Sequence, residues 1–245
     1  MIQKESPKYI NEIEIPRVML GTSPFLGAGQ FGPRARRYYQ HFYLNPSNIT
    51  NLIVEAAEFD ITWVQAIACA PIAKAIEEAR RRAKRQIQIA ATVGVEQFEP
   101  ELELMKNLNA KIILTHARIT DRLDSNFRNC INRISNIAIA GVVTHNPGIV
   151  IPKLSNYDQV KIIMAPINLA GWFMSPSVSS TLEAISSTDK IVIGKKTLAA
   201  GLLQPREALE YVAQYVYGVA IGVASTGELK ETFGIAKQIW KMGKA

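Results

Sequence analysis

Cysteine is scarce. Two in 245 residues, Cys69 and Cys130, without CxxC spacing, make neither a disulfide framework nor a zinc site. Both lie in apolar or amphipathic segments and read as core fillers. Long apolar runs are missing as well. None approaches the ~18 residues of a spanning helix, and the opening MIQKESPKY lacks the apolar stretch of a secretory leader. The expectation is a soluble, cytoplasmic chain that does not engage a membrane. Histidine occurs three times, with no H-x-H pair or carboxylate cluster beside it, which argues against a metal site. No linker or low-complexity segment divides the chain, so residues 1–245 read as one domain.

Acidic residues are also outnumbered, 21 against 28 basic, for a formal net charge of +7. Such a balance favours anionic partners and says nothing about fold. Much of the excess sits in AIEEARRRAKRQ, where Arg80 to Arg85 follow Glu77 and Glu78 at helical spacing. This pattern fits a solvated helix face better than a nucleic-acid patch. Nucleic acid is therefore a reserve partner, a small anionic or phosphorylated ligand the preferred one. An oligomer is compatible with the composition.

What is present is one organisation repeated. Short β-branched runs begin at Arg17, Ile61, Gln86, Lys111, Ile137, Val160, Lys190 and Gly218, and amphipathic patterns separate most of them. One such pattern is NPSNITNLIVEAAEF, with Asn45 as N-cap before Pro46. Near-continuously apolar strands alternating with helices call for a parallel sheet covered on both faces. Eight units close most naturally into a single (β/α)8 TIM barrel of the α/β class. The fifth unit, NPGIVIPKLSNYDQ, carries two prolines and predicts only a short helix. The segment KYINEIEIP alternates apolar and polar residues and predicts an N-terminal hairpin over the barrel's lower mouth.

In a barrel the reactive rim is where strands end. Taken in order, the ends are Thr22 and Ser23, Gln65, Thr92, His116, His145 with Asn146, Asn168, Lys195 with Lys196, and Ser225 with Thr226. Any one of these marks no more than a chain reaching water, but paired lysines after IVIG are a poor core filler. Gly222, Ser225, Thr226 and Gly227 form a turn into an acidic helix start, able to hold a phosphate on free backbone N–H groups. The same Ser225 and Glu228 have capping-box spacing, which satisfies the helix start without a ligand. The Gly-rich, basic and aromatic stretch from Gly27 to Tyr43 lies over the mouth. From it Tyr38, Tyr39 or His41 is a candidate proton donor, and Arg34, Arg36 or Arg37 a candidate anion clamp.

IEIPRVMLGTSPF resembles the start of aldo-keto reductases, and GKKTLAAGLLQPREALEYV and GVAIGVASTGELKETF resemble their seventh and eighth units. GVVTHNPG and IIMAPINLAGW are similar to the fifth and sixth strand ends. The resemblance implies a TIM barrel that binds NADP through Lys195, Lys196, Gly222, Ser225, Thr226, Gly227, Asn146 and Asn168, and an oxidoreductase acting on an anionic carbonyl compound. It departs at the chemistry. Gln65 stands near the family's Asp, no Tyr follows it, and AATVG carries no Lys, leaving His116 from the catalytic set. Gln65 and His116, supplemented by Tyr39 or His41, are the catalytic candidates. Two alternatives remain open: a noncatalytic ligand-binding barrel, and a lyase or aldolase-type enzyme using a lysine at the end of the seventh strand.

Overall fold

In a computed structural model describing residues 6–242, a two-stranded hairpin precedes a closed ring of eight parallel strands. The hairpin pairs β1 (Tyr9–Ile10) with β2 (Ile13–Glu14). Its turn residues Asn11 and Glu12 both have positive φ, 48° and 64°, as the twist of a tight hairpin demands. The barrel runs β3 (Val18–Gly21), β4 (Trp63–Ile67), β5 (Gln88–Val93), β6 (Ile112–Thr115), β7 (Ile139–Val143), β8 (Ile162–Pro166), β9 (Ile191–Lys195) and β10 (Gly218–Ile221). Pairing of Val219 with Val18 and of Ile221 with Leu20 closes the ring.

Although the strands read as unbroken apolar runs, their side chains alternate. Ile112, Leu114, Ile162, Met164, Ile191 and Ile193 fill the interior with Met19, Ile15 and Tyr217. Ile113, Ile163 and Val192 face outward into the layer beneath the helices. Ile10 and Ile13 of the hairpin pack on the interior cluster, so the hairpin plugs the barrel as expected.

The outer layer comprises α1 (Arg34–Tyr38), α2 (Pro46–Glu58), α3 (Ala70–Arg82), α4 (Phe98–Asn107), α5 (Ala117–Thr120), α6 (Ser125–Ser135), α7 (Pro147–Lys153), α8 (Val178–Ser187), α9 (Pro205–Val212) and α10 (Thr226–Ile239). The fifth unit has the short helix its prolines predict, seven residues of α7 with Pro152 inside. Asn45 occupies the N-cap position of α2, but its side chain donates to the Gln40 carbonyl at 2.7 Å instead of capping. The basic run of α3 is tied down locally. Arg80 donates to the carbonyls of Ile87 and Leu108, Arg81 pairs with Glu78, Arg82 reaches Asn51, and Arg85 pairs with Asp60. Among the described residues no helix is long and apolar enough to cross a membrane.

Two connections fix the upper face. The segment after β3 folds back through α1 and a π-helical turn at Tyr39–Tyr43, pinned by the Phe25 and Phe42 rings 4.8 Å apart. Gly27 permits this fold. Its φ is 61°, and a Cβ there would lie 2.5 Å from the Ala35 carbonyl oxygen. After β5, the buried Glu101 carboxylate accepts four backbone N–H bonds, from Gly94, Val95, Glu96 and Gln97, at 2.7–3.0 Å. Of the four donors, the N–H of buried Gly94 is left without a partner if the carboxylate is removed. Glu101→Ala is therefore expected to cost about 1–3 kcal/mol or more, since each buried orphan donor carries such a penalty. Denaturant unfolding measures it, and a midpoint equal to the parent's would contradict the clamp.

Candidate functional site

The strand ends open into a cavity of about 440 Å³. Gln65, Thr92, His116, His145, Lys195 and Lys196 all line it, so six of the polar strand ends read from the sequence meet in one place. Gln65 is nearly buried and donates through Nε2 to Thr92 Oγ1 at 2.9 Å, making a fixed polar wall. The His116 and His145 rings meet edge to face, 5.4 Å between centroids. His116 Nδ1 accepts the Arg118 N–H at 3.3 Å, which leaves the proton of the neutral ring on Nε2.

The electrostatics are dominated by enclosure. Lys195 lines the cavity and is half-buried. Burial, then the neighbouring Lys196 charge, drive its pKa well below 10.5, and Asp121 opposes the shift. Burial lowers Lys196 to about 8. His116 is lowered to about 4 by burial and then by Lys195, and His145 to about 3 by the same two causes in the same order. Both imidazoles are thus neutral at pH 7. Asp121 is raised by burial, against hydrogen bonds from Thr144 Oγ1 at 2.6 Å and the His145 N–H at 3.1 Å. That carboxylate therefore holds the strand end carrying His145.

The start of α10 departs from the expected phosphate cradle. Ser225 caps the helix by accepting the Glu228 N–H at 3.2 Å, Thr226 Oγ1 donates to Glu55 at 2.6 Å, and Glu228 accepts the Ala224 N–H at 2.8 Å. Half of the capping box forms, because the Glu228 carboxylate takes the Ala224 N–H in place of that of Ser225. Ser225, Thr226 and Gly227 do not line the cavity. Gly222 does, but the close approach it permits is to Pro24, whose Cδ would be 2.6 Å from an added Cβ. Glu228 and Glu231 make this wall of the cavity acidic.

Four further expectations fall outside the cavity. Asn168 is fully buried and forms a reciprocal pair with the Trp172 backbone, both bonds 2.9 Å, which closes the loop after β8. Asn146 sits at the α7 N-cap position with Oδ1 buried and lacking a protein partner. Tyr39 stacks on Tyr43 at 4.7 Å, and His41 is exposed with its ring edge-on to Phe42. Successive helical residues point about 100° apart, so Tyr38 faces the cavity and Tyr39 does not.

Sequence reading missed Asp121, Gln30 and Phe173. Asp121 had a signal: it is the one acidic residue in the helical turn directly after His116. Gln30 and Phe173 had none, because they matter only through contact with Lys196. Among the described residues no cluster of three or more His, Cys, Asp or Glu could hold a metal ion.

Solved structures share the barrel. A proposed aldo-keto reductase from Pseudomonas aeruginosa superposes with a TM-score of 0.69 at 18% identity, over 93% of this chain and 92% of that one. Thiamine phosphate pyrophosphorylase from Pyrococcus furiosus gives 0.55 at 14% identity, over 82% and 93%. A Rubisco-like protein from Rhodopseudomonas palustris gives 0.55 at 11%, over 82% and 61%. At these identities the likeness establishes the fold, and the chemistry rests on the site. No protein-family model and no curated protein matches the sequence.

Lys195 gives a stability test with a definite sign. Its folded pKa lies below the unfolded value of about 10.5, so the unfolded chain binds the extra proton and stability falls as pH drops below 10.5 toward the folded pKa. Lys195→Met should therefore raise the melting temperature, by roughly 2–4 °C for each ~1 kcal/mol recovered. The gain should be larger at pH 7 than at pH 10. A variant that melts lower than the parent at pH 7 would contradict the desolvated amine.

Proposed function

We propose that this chain is an enzyme acting on a small anionic carbonyl compound, with Lys195 as the attacking amine. The observation that carries this reading is an enclosed lysine whose neighbour is a second lysine, at the end of a barrel strand, in a cavity with two neutral imidazoles. A lysine whose pKa is driven well below 10.5 reaches its unprotonated, nucleophilic form at lower pH than a surface lysine.

The steps follow from those groups. The Lys195 lone pair attacks the carbonyl carbon, the C–N bond forms, and the π pair moves to oxygen. Nitrogen passes one proton to that oxygen. A second proton lets it leave as water while the nitrogen pair closes the C=N bond, giving a protonated imine. His116 serves as the Nε2–H donor that polarises the carbonyl oxygen, and the Gln65–Thr92 wall holds the substrate beside it. The protonated imine draws electrons from the adjacent carbon, which opens lyase or aldolase-type bond cleavage.

The second reading is an NADP-dependent oxidoreductase, which the barrel likeness favours. The α10 start fits a phosphate poorly, because the Glu228 carboxylate already takes the Ala224 N–H and Ser225 and Thr226 are engaged. The family's Asp, Tyr and Lys positions are unmatched in the sequence, and Tyr38 is the one tyrosine among the cavity-lining residues. A nucleotide that does use this helix should bind more tightly to Glu228→Gln than to the parent, as read by NADPH fluorescence. Equal affinity in the two proteins, or no binding to either, would count against the reading.

Reduction with borohydride in the presence of glyoxylate or glycolaldehyde phosphate tests the imine. Mass spectrometry should find the adduct on Lys195, with the trapping rate half-maximal well below pH 10.5. Lys195→Met should reduce the yield by at least ~10²-fold, the scale expected for loss of a covalent nucleophile. An adduct spread over the exposed lysines, or none, would overturn the assignment.

A further inference from the structure

Lys196 is held between two loops that are remote from it in sequence. Its Nζ is hydrogen bonded to Oε1 of Gln30, in the connection after β3, 166 residues away. On another side the ammonium lies 3.7 Å from the centroid of Phe173, in the connection after β8. Lys196 itself has a left-handed backbone, φ 57°, at the start of a loop where Ala199 and Ala200 also have positive φ. Three non-glycine residues in that region mark a backbone held by its surroundings. Arg34 of the lid reaches the Ala200 carbonyl in the same loop and also lines the cavity.

The pairing of charges is incomplete at this point. Among the described residues no carboxylate lies within ion-pair distance of Lys196. Its polar partner is a neutral amide oxygen, and an ionised oxygen is a markedly stronger acceptor for an ammonium. The acidic side chains of the cavity, Glu228 and Glu231, lie on the α10 wall, where Glu228 is committed to the Ala224 N–H. The cavity therefore has an acidic wall at α10 and a basic wall formed by Lys196 and Arg34. That polarity directs an anion away from α10, the place where the sequence suggested a phosphate.

We propose that Lys196 anchors the anionic group of the substrate: a carboxylate or phosphate oxygen displaces Gln30 Oε1 from Nζ while the Phe173 ring keeps its place against the ammonium. This deepens the imine reading, since it places the carbonyl of an anchored substrate beside the adjacent Lys195 and defines the substrate class as short carbonyl acids or carbonyl phosphates. The anchoring itself needs no imine. Gln30 then acts as a stand-in acceptor, which keeps the ammonium aimed into the cavity until the anion arrives.

Calorimetric titration with inorganic phosphate and, separately, with malonate tests the anchor without any carbonyl. The parent should bind one of the two, and which one distinguishes a phosphate from a carboxylate substrate. Lys196→Met should weaken binding by at least ~10-fold, and Gln30→Glu should do the same by supplying a tethered carboxylate to Nζ. Gln30→Ala removes the competing acceptor and should bind the probe more tightly than the parent. Lys196→Arg, which keeps the charge, should retain measurable affinity and guards against a folding defect in the methionine variant. Failure of both probes to bind the parent would overturn the proposal, as would Gln30→Glu binding undiminished. Borohydride trapping on Lys195 with no probe binding would defeat the anchor and spare the imine. Probe binding lost in Lys196→Met, with no trapping, would do the reverse.

Discussion

Enclosure of the Lys195 amine is the constraint around which the upper half of this protein is arranged. A cation is costly inside protein, and here the cost is raised by a second lysine immediately following in the chain. A flexible site would relieve it by turning one side chain to solvent. The closed barrel does not allow that. Lys195 is the last residue of β9, paired in register with Pro166 of β8, and the buried Ile193 beneath it fixes which face it points to. The amine responds with a lowered pKa, which brings its reactive, unprotonated form to lower pH.

The rest of the site follows from that enclosure. His116 and His145 both titrate below 6.5, so as neutral rings they can donate a hydrogen bond and accept one without adding to the positive charge. Asp121 supplies the counter-field and, through Thr144 and the His145 N–H, ties the end of β7 to the helical turn after β6. Lys196 leaves the strand through a left-handed backbone and meets a ring and an amide in place of a carboxylate. Acid should weaken the whole arrangement. The two histidines have folded pKa values below the unfolded 6.5, so their neutral forms favour the fold less as pH falls from about 6.5 toward 4 and 3.

How much of this was readable in the sequence depends on distance along the chain. The barrel was legible because β-branched runs alternate with amphipathic segments, and a parallel ring puts every strand's C-terminal end on the same face. That single geometric fact brings Gln65, Thr92, His116, His145, Lys195 and Lys196 together. Two of the polar residues at the strand ends that failed to join them were consumed by the backbone: Asn168 by Trp172, Ser225 by Glu228. Their type invites a ligand and a turn equally, so type alone does not decide. Of the lid candidates Tyr38, Tyr39 and His41, Tyr38 lines the cavity, since helical phase in a short irregular segment is set by packing of Phe25 on Phe42. The Gln30 and Phe173 contacts to Lys196 join three loops and have no local signature.

The protonation state of Lys195 tests this account most directly. Lysine side chains labelled with ¹³C at Cε can be titrated by NMR, with the Lys195 resonance assigned by its absence from Lys195→Met. The account predicts a midpoint well below 10.5 for Lys195, and one near 8 for Lys196. A Lys195 midpoint near 10.5, in line with surface lysines, would contradict it.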